Sequence, residues 1–239
     1  MNRLVHIVHL YPQEMNIYGD TGNFLILQRR LAWRNIGVKV SYVGLGDKIP
    51  NDVDIILGGG GQDTGQFKVQ DDLQLKQSKL KELARDDVIM LMVCGMYQLF
   101  GRRFVTSNGE TIKGAGILPL ETIAGNDRLI GNTLYKSRWG EIVGYENHSG
   151  LTNLDNSSFA LAEVVKGAGN NGRDKTEGCR LQNVFGTYSH GPVLSKNPAF
   201  ADELIKLALI RKYGDSMIKK LDDELEHKAA DVARKLSYD

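Results

Sequence analysis

The chain has 239 residues, with 30 lysines and arginines against 29 aspartates and glutamates, for a formal net charge of +1. That balance excludes a broad basic field of the kind that binds nucleic acid or an anionic membrane surface. The length suits one α/β domain with at most a small appendage, and 41% hydrophobic with 25% charged residues is ordinary for a globular protein that buries a core.

Two cysteines, Cys94 and Cys179, do not make a disulfide framework in a chain of this length. The opening run MNRLVHIVHLYP is too short and, with two histidines, too polar for a secretory signal. No stretch approaches the length of a membrane span, so a soluble, cytoplasmic protein is expected.

In chain order, Leu4 to Leu10 reads as a largely apolar first strand, and 11–23 as a loop rich in Asn, Gly and Asp. Residues 24–35 carry a helical pattern that Gly37 stops. Strands are expected at 38–43 and 53–57, the latter running into Gly58-Gly59-Gly60-Gly61. A polar helix is expected from about 70 to 85, then the most hydrophobic strand, 88–93, which leads into Cys94-Gly95. That alternation predicts an α/β fold with a mainly parallel sheet flanked by helices. The second half looks richer in β-structure, with strands at 142–145, 159–165 and 184–188, a turn at 167–172, and a helix over 198–213. With no repeat and no low-complexity linker, the simplest division is one domain over 1–214 and a charged helical tail over 215–239, lying on the surface or on a partner.

The segment Met92-Val93-Cys94-Gly95-Met96-Tyr97-Gln98 is the most informative. An isolated cysteine in an apolar run usually just packs. This one stands at the end of the run, followed by glycine and a helix-like stretch, which is the pattern of a strand–turn–helix elbow. Such an elbow holds a nucleophile at the carboxyl edge of the sheet, facing the positive end of a helix that favours thiolate. Gly95 permits the tight turn and can aim its N–H at a developing oxyanion, and the glycines at 58–61 reach the same edge with a second N–H. Cys179 has no elbow around it and reads as incidental.

A thiol nucleophile needs a base. Of five histidines, His227 lies in the charged tail and His6 and His9 lie in the first strand, where packing is the default. His148 and His190 both follow candidate strands, in GYENHSG and TYSHGP, and spacing alone leaves the choice between them open.

These residues resemble class I glutamine amidotransferases. The resemblance rests on the Cys-Gly-x-x-Gln elbow at 94–98, the glycine run, and GAGILP at 114–119. GYENH at 144–148 with YSHG at 188–191 is similar to the branch that includes the glutaminase domains of cobyric acid synthase, and NIYGDTGN at 16–23 resembles the glutaminase subunits of lipid II isoglutaminyl synthases. The likeness runs from about residue 4 to 214 and implies a single three-layer amidotransferase domain.

It further implies Cys94 as nucleophile, His190 as general base and acid, Gly60 and Gly95 as oxyanion donors, and Arg128 as the grip on the glutamine α-carboxylate. Gln98 is placed either against the glutamine or on a helix surface. The family commonly has a carboxylate two residues past the histidine, where this chain has Pro192. Asp20 and Glu146 are therefore the candidates for an orienting acid. No metal site and no cofactor are expected on this chain. It also lacks a glycine-rich loop ending in Lys-Ser or Lys-Thr, so ATP and Mg²⁺ are expected on a partner. By the resemblance that partner is a Mur-ligase-like synthetase of the MurT kind, acting on lipid II at the inner membrane face. The rivals are a glutaminase for a different synthetase and a stand-alone cysteine hydrolase.

Overall fold

The computed structural model describes residues 3–236 and residue 238. Its central sheet holds β1 (Leu4–Leu10), β2 (Gly37–Val43), β3 (Ile55–Gly58), β4 (Ile89–Val93), β11 (Cys179–Leu181) and β12 (Val184–Thr187), in the order β11-β12-β4-β3-β1-β2. Every pairing is parallel except that of β11, which caps one edge antiparallel to β12. β3 and β4 are buried along their whole length, which is why their sequences are continuous apolar runs.

The helices supply the faces. α1 (Thr21–Ala32) packs with α4 (Pro198–Tyr213), and α2 (Asp63–Arg85) packs with α3 (Gly95–Phe100). α4 opens on Pro198 and ends at Gly214, whose left-handed conformation closes the helix. α1 and α2 both begin earlier than their apolar patterns suggest, because their first turns carry polar residues. Gln66, in the first turns of α2, is one of these and is buried.

A second sheet departs most from the sequence reading. β7 (Leu120–Ser137) and β8 (Gly140–Leu154) form one long antiparallel hairpin, with an irregularity between Ala124 and Leu129. β5 (Arg103–Val105), β6 (Thr111–Lys113), β9 (Ala162–Lys166) and β10 (Thr176–Glu177) complete it in the order β10-β9-β7-β5-β6. The sequence pattern gives only 142–145 of the hairpin as a strand, because one face meets solvent and apolar residues recur only at alternate positions. The expected strand at 159–165 starts later, since Ser157–Phe159 is a 3₁₀ turn.

The tail is folded against the domain. Arg30 on α1 donates to Asp202 on α4 (2.7 Å) and to both oxygens of Asp223 (2.6 and 3.1 Å), while Arg34 donates to Asp202 (2.6 Å) and to the Lys219 carbonyl (2.7 Å). α5 (Glu224–Lys235) then lies on the hairpin, with Ala230 and Ala233 against Leu134 and Val143. Among the described residues no helix is long and apolar enough to cross a membrane.

Candidate active site

Four loops leave the carboxyl ends of parallel strands at one edge of the central sheet. β1 leads towards Asp20, β3 into the glycine run, β4 into Cys94 and β12 into His190. β2 and β3 lie on opposite sides of β1, so the strand order reverses there, which is where open α/β sheets place ligands.

Cys94 has φ 48° and ψ −106°, a strained backbone for a side chain that is not glycine. Its N–H donates to the Thr187 carbonyl at 2.8 Å, tying the elbow to the strand that carries His190, and its own carbonyl accepts from Gln98 N at 3.0 Å. Gly95 allows a very close approach: a Cβ there would lie 2.6 Å from Gly61 O and 2.7 Å from Gly61 N.

Of the two histidines the sequence left open, His190 is the one built into this centre. It is fully buried, its backbone N–H donates to the Tyr145 carbonyl at 2.7 Å, and its Nδ1 lies 3.2 Å from Asp20 Oδ1. Nε2 has no hydrogen-bond partner among the described residues and is the nitrogen left for Cys94. Burial lowers the pKa of His190, but the charge of Cys94 and the bond to Asp20 outweigh it and push the imidazole up to about 10. The imidazole is thus held in its protonated form beside Cys94 and Asp20.

Asp20 fills the place left open by Pro192. Its Oδ1 faces His190, and its Oδ2 accepts the Gly60 N–H at 2.7 Å. That second bond corrects the assignment of Gly60 as an oxyanion donor, because its N–H is already engaged. A Cβ on Gly60 would lie 3.0 Å from Asp20 Oδ2 and from His190 Cε1 and 3.4 Å from Cys94 Cβ, so glycine is needed there for closeness rather than for donation. Gly61, the next residue of the glycine run, lines the pocket with Cys94. As the first residue of α3, Gly95 has an amide that the helix itself does not satisfy.

Glu146 is not the orienting acid. Its carboxylate accepts from Tyr135 Oη (2.9 Å), Ala168 N (2.6 Å) and Gly169 N (2.9 Å), so it pins the 167–169 turn. His148 is a buried ring stacked on Tyr188 with centroids 3.6 Å apart, and Nδ1 sits 2.8 Å from the Gly150 carbonyl. Burial holds its pKa down at about 3, so it is neutral.

A small pocket opens above Cys94. Arg128 stands at its rim on β7, within the irregular stretch between Ala124 and Leu129; its Nε bonds Asn147 Oδ1 and its Nη2 lies 3.4 Å from Tyr18 Oη. Gln98 also lines the pocket but is buried, not on a helix surface. It accepts from Gln66 Nε2 at 2.7 Å and donates to Tyr188 Oη at 3.0 Å, bracing α3 against the strand that carries His190. Asp63 is a further lining residue, so the pocket holds a guanidinium and a carboxylate, which suits a zwitterion. Cys179 is buried in β11 with its thiol pushed up to about 12 by burial, an inert group. Among the described residues no His, Cys, Asp and Glu cluster could hold a metal ion.

The sequence does not single out Tyr18, Asn147 or Asp63 as pocket residues, and it leaves Gly61 undistinguished within the glycine run. Tyr18 and Asn147 lie inside the NIYGDTGN and GYENH motifs, beside the titratable Asp20 and His148.

Residues 6–198 match the family model of the CobB/CobQ-like glutamine amidotransferase domain. The chain belongs to that family. It is 38% identical over 95% of its length to "Lipid II isoglutaminyl synthase (glutamine-hydrolyzing) subunit GatD" of Streptococcus pneumoniae, covering 89% of that protein. It is also 38% identical to the protein of the same name from Staphylococcus aureus, over 95% of this chain and 93% of that one. A chain of the PurLQS structure from Thermotoga maritima superposes with a TM-score of 0.58 at 16% identity, covering 87% of this chain and 98% of that one, a likeness of fold. As an amidotransferase of this family, the chain has the scaffold for glutamine hydrolysis, with the elbow at the sheet edge where that chemistry occurs.

Proposed function

We propose that this chain is the glutaminase subunit of a lipid II isoglutaminyl synthase, releasing ammonia from L-glutamine for a MurT-type synthetase. The observation that carries the reading is the Asp20–His190 pair beside the Cys94 elbow, in a chain alike over nearly its whole length to two GatD proteins.

Glutamine seats its α-carboxylate on Arg128 and its ammonium towards Asp63. The Cys94 thiolate attacks the side-chain amide carbon, forming a C–S bond. The Gly95 and Gly61 amides receive the oxyanion, at about 3 kcal/mol for each such donor. His190, its Nδ1–H held by Asp20, gives the Nε2 proton to the departing nitrogen, and ammonia leaves. His190 then takes a proton from water, which hydrolyses the thioester to glutamate.

On this reading ATP and Mg²⁺ serve the partner, which activates the D-glutamate α-carboxylate of lipid II. Ammonia converts it to D-isoglutamine at the cytoplasmic face of the membrane. The test is reconstitution with a Mur-ligase-like synthetase, ATP, Mg²⁺, L-glutamine and lipid II. Glutamine-dependent amide in the stem peptide, lost with Cys94→Ala, is expected. Glutamate formation without lipid II amidation, or amidation only with a different class of synthetase, would move the chain to another acceptor.

A further inference from the structure

Tyr18 has no role in the chemistry above, yet the fold holds it firmly over the site. Its backbone is left-handed at φ 58°, an uncommon state for a bulky residue. The Ile17 N–H donates to the Gly60 carbonyl at 3.0 Å on one side, and Asp20 is locked to Gly60 and His190 on the other. Held this way, the ring meets the His190 imidazole edge-on with centroids 4.9 Å apart, while 42% of the residue stays exposed at the pocket mouth.

The hydroxyl is the informative group. It accepts from Arg128 Nη2 at 3.4 Å, a long bond, and among the described residues nothing accepts its own proton. Arg128 is oriented through Nε by Asn147, and no acceptor among the described residues meets its Nη1. A phenol O–H and a guanidinium N–H therefore stand side by side at the rim, both donors without an acceptor. Two adjacent donors match the two oxygens of one carboxylate, which a single fork already oriented by Asn147 serves less completely.

We propose that Tyr18 is a substrate-binding residue, its hydroxyl sharing the α-carboxylate of the amino-acid substrate with Arg128 while its ring covers His190. This rests on the glutaminase reading and makes the pocket selective for a free α-carboxylate over a neutral carboxamide.

The test compares alkylation rates of Cys94, read by mass spectrometry, in the wild type and in Tyr18→Phe. The reagents are the diazoketone analogue of L-glutamine, the same reagent without its α-carboxylate, and chloroacetamide. Tyr18→Phe keeps the ring, and at an exposed site it keeps the fold. The wild type should prefer the carboxylate-bearing reagent, and Tyr18→Phe should slow that reagent about tenfold, as loss of a hydrogen bond to a charged group does. The other two reagents should react at unchanged rates. Undiminished labelling by the glutamine analogue in Tyr18→Phe overturns the role of Tyr18 and leaves the glutaminase reading standing. Equal slowing of all three reagents overturns it as well, because the hydroxyl then acts on the thiolate. A wild type with no preference for the carboxylate removes the glutaminase reading and this inference together.

Discussion

Asp20 divides one carboxylate between the base and the glycine run, and both bonds matter for the direction in which His190 moves protons. An acceptor at Nδ1 keeps the proton there and leaves Nε2 to face Cys94. In Asp20→Asn the amide carbonyl has two suitors, Gly60 N–H and His190 Nδ1–H. If the carbonyl keeps Gly60, the NH₂ group faces Nδ1 and favours the wrong tautomer. The expected result is a fall in kcat for glutamate release of about 10³ to 10⁴-fold, with circular dichroism unchanged. A fall smaller than tenfold in steady-state assay would remove Asp20 from the triad. The sequence offered Asp20 only beside Glu146, and physically it could do no more. The separation of 170 positions from Asp20 to His190 is closed by sheet order, which no local spacing encodes. Cys94 was readable because strand, nucleophile and helix are contiguous, whereas Gly60 and Gly61 were indistinguishable until the direction of one N–H was known.

At the scale of elements, α1, α4 and the tail meet at Arg30, a guanidinium only 2% exposed that carries Asp202 on one side and Asp223 on the other. Its protonated form survives burial because those carboxylates hold it. Asp223→Ala removes one of them and leaves a buried charge half-compensated, a class of change that costs about 3 kcal/mol. Chemical denaturation should report a loss of that order, and hydrogen exchange should rise in 215–223 before it rises in the central sheet. By contrast, Lys228→Ala breaks only the exposed pair with Glu224 and should leave the midpoint unchanged. Equal effects from the two substitutions would show that the latch contributes nothing. The central strands were legible because β1, β3 and β4 are short apolar runs bounded by glycine or charge. The β7–β8 hairpin was not, since its Gly, Asn and Asp content reads as loop, and only pairing across the strands reveals the alternation. That hairpin carries Arg128, Asn147 and His148, so the substrate side of the pocket was less legible than the nucleophile side.

Across the whole molecule, stability and pH are linked through groups that folding moves away from their ordinary pKa values, and two of them pull in opposite directions. His148 is held down at about 3 by burial against Tyr188, while Glu177, buried behind Thr187 and Tyr188, is raised to about 7 by burial. For His148 the unfolded chain binds the proton from about pH 6.5 downwards and the folded chain does not. Its contribution is therefore complete above pH 6.5 and is lost as pH falls towards 3. For Glu177 the folded state binds the extra proton between its unfolded value and about 7, so acidification over that range adds stability. His190, raised to about 10, contributes stability that is present below its unfolded pKa and lost as pH rises through 10. His148→Phe isolates the first of these. It keeps a flat ring on Tyr188, removes one titrating group, and leaves Glu177 and His190 in both proteins, where they cancel in the difference. Urea unfolding at pH 7 and pH 5 should show the wild type losing about 2 kcal/mol more than the variant over that step, at 1.36 kcal/mol for each pH unit below 6.5. Parallel pH dependence in the two proteins would mean that His148 protonates freely in the folded state. The pocket wall beside Cys94 would then gain a positive charge in acid, where the structure places a neutral ring.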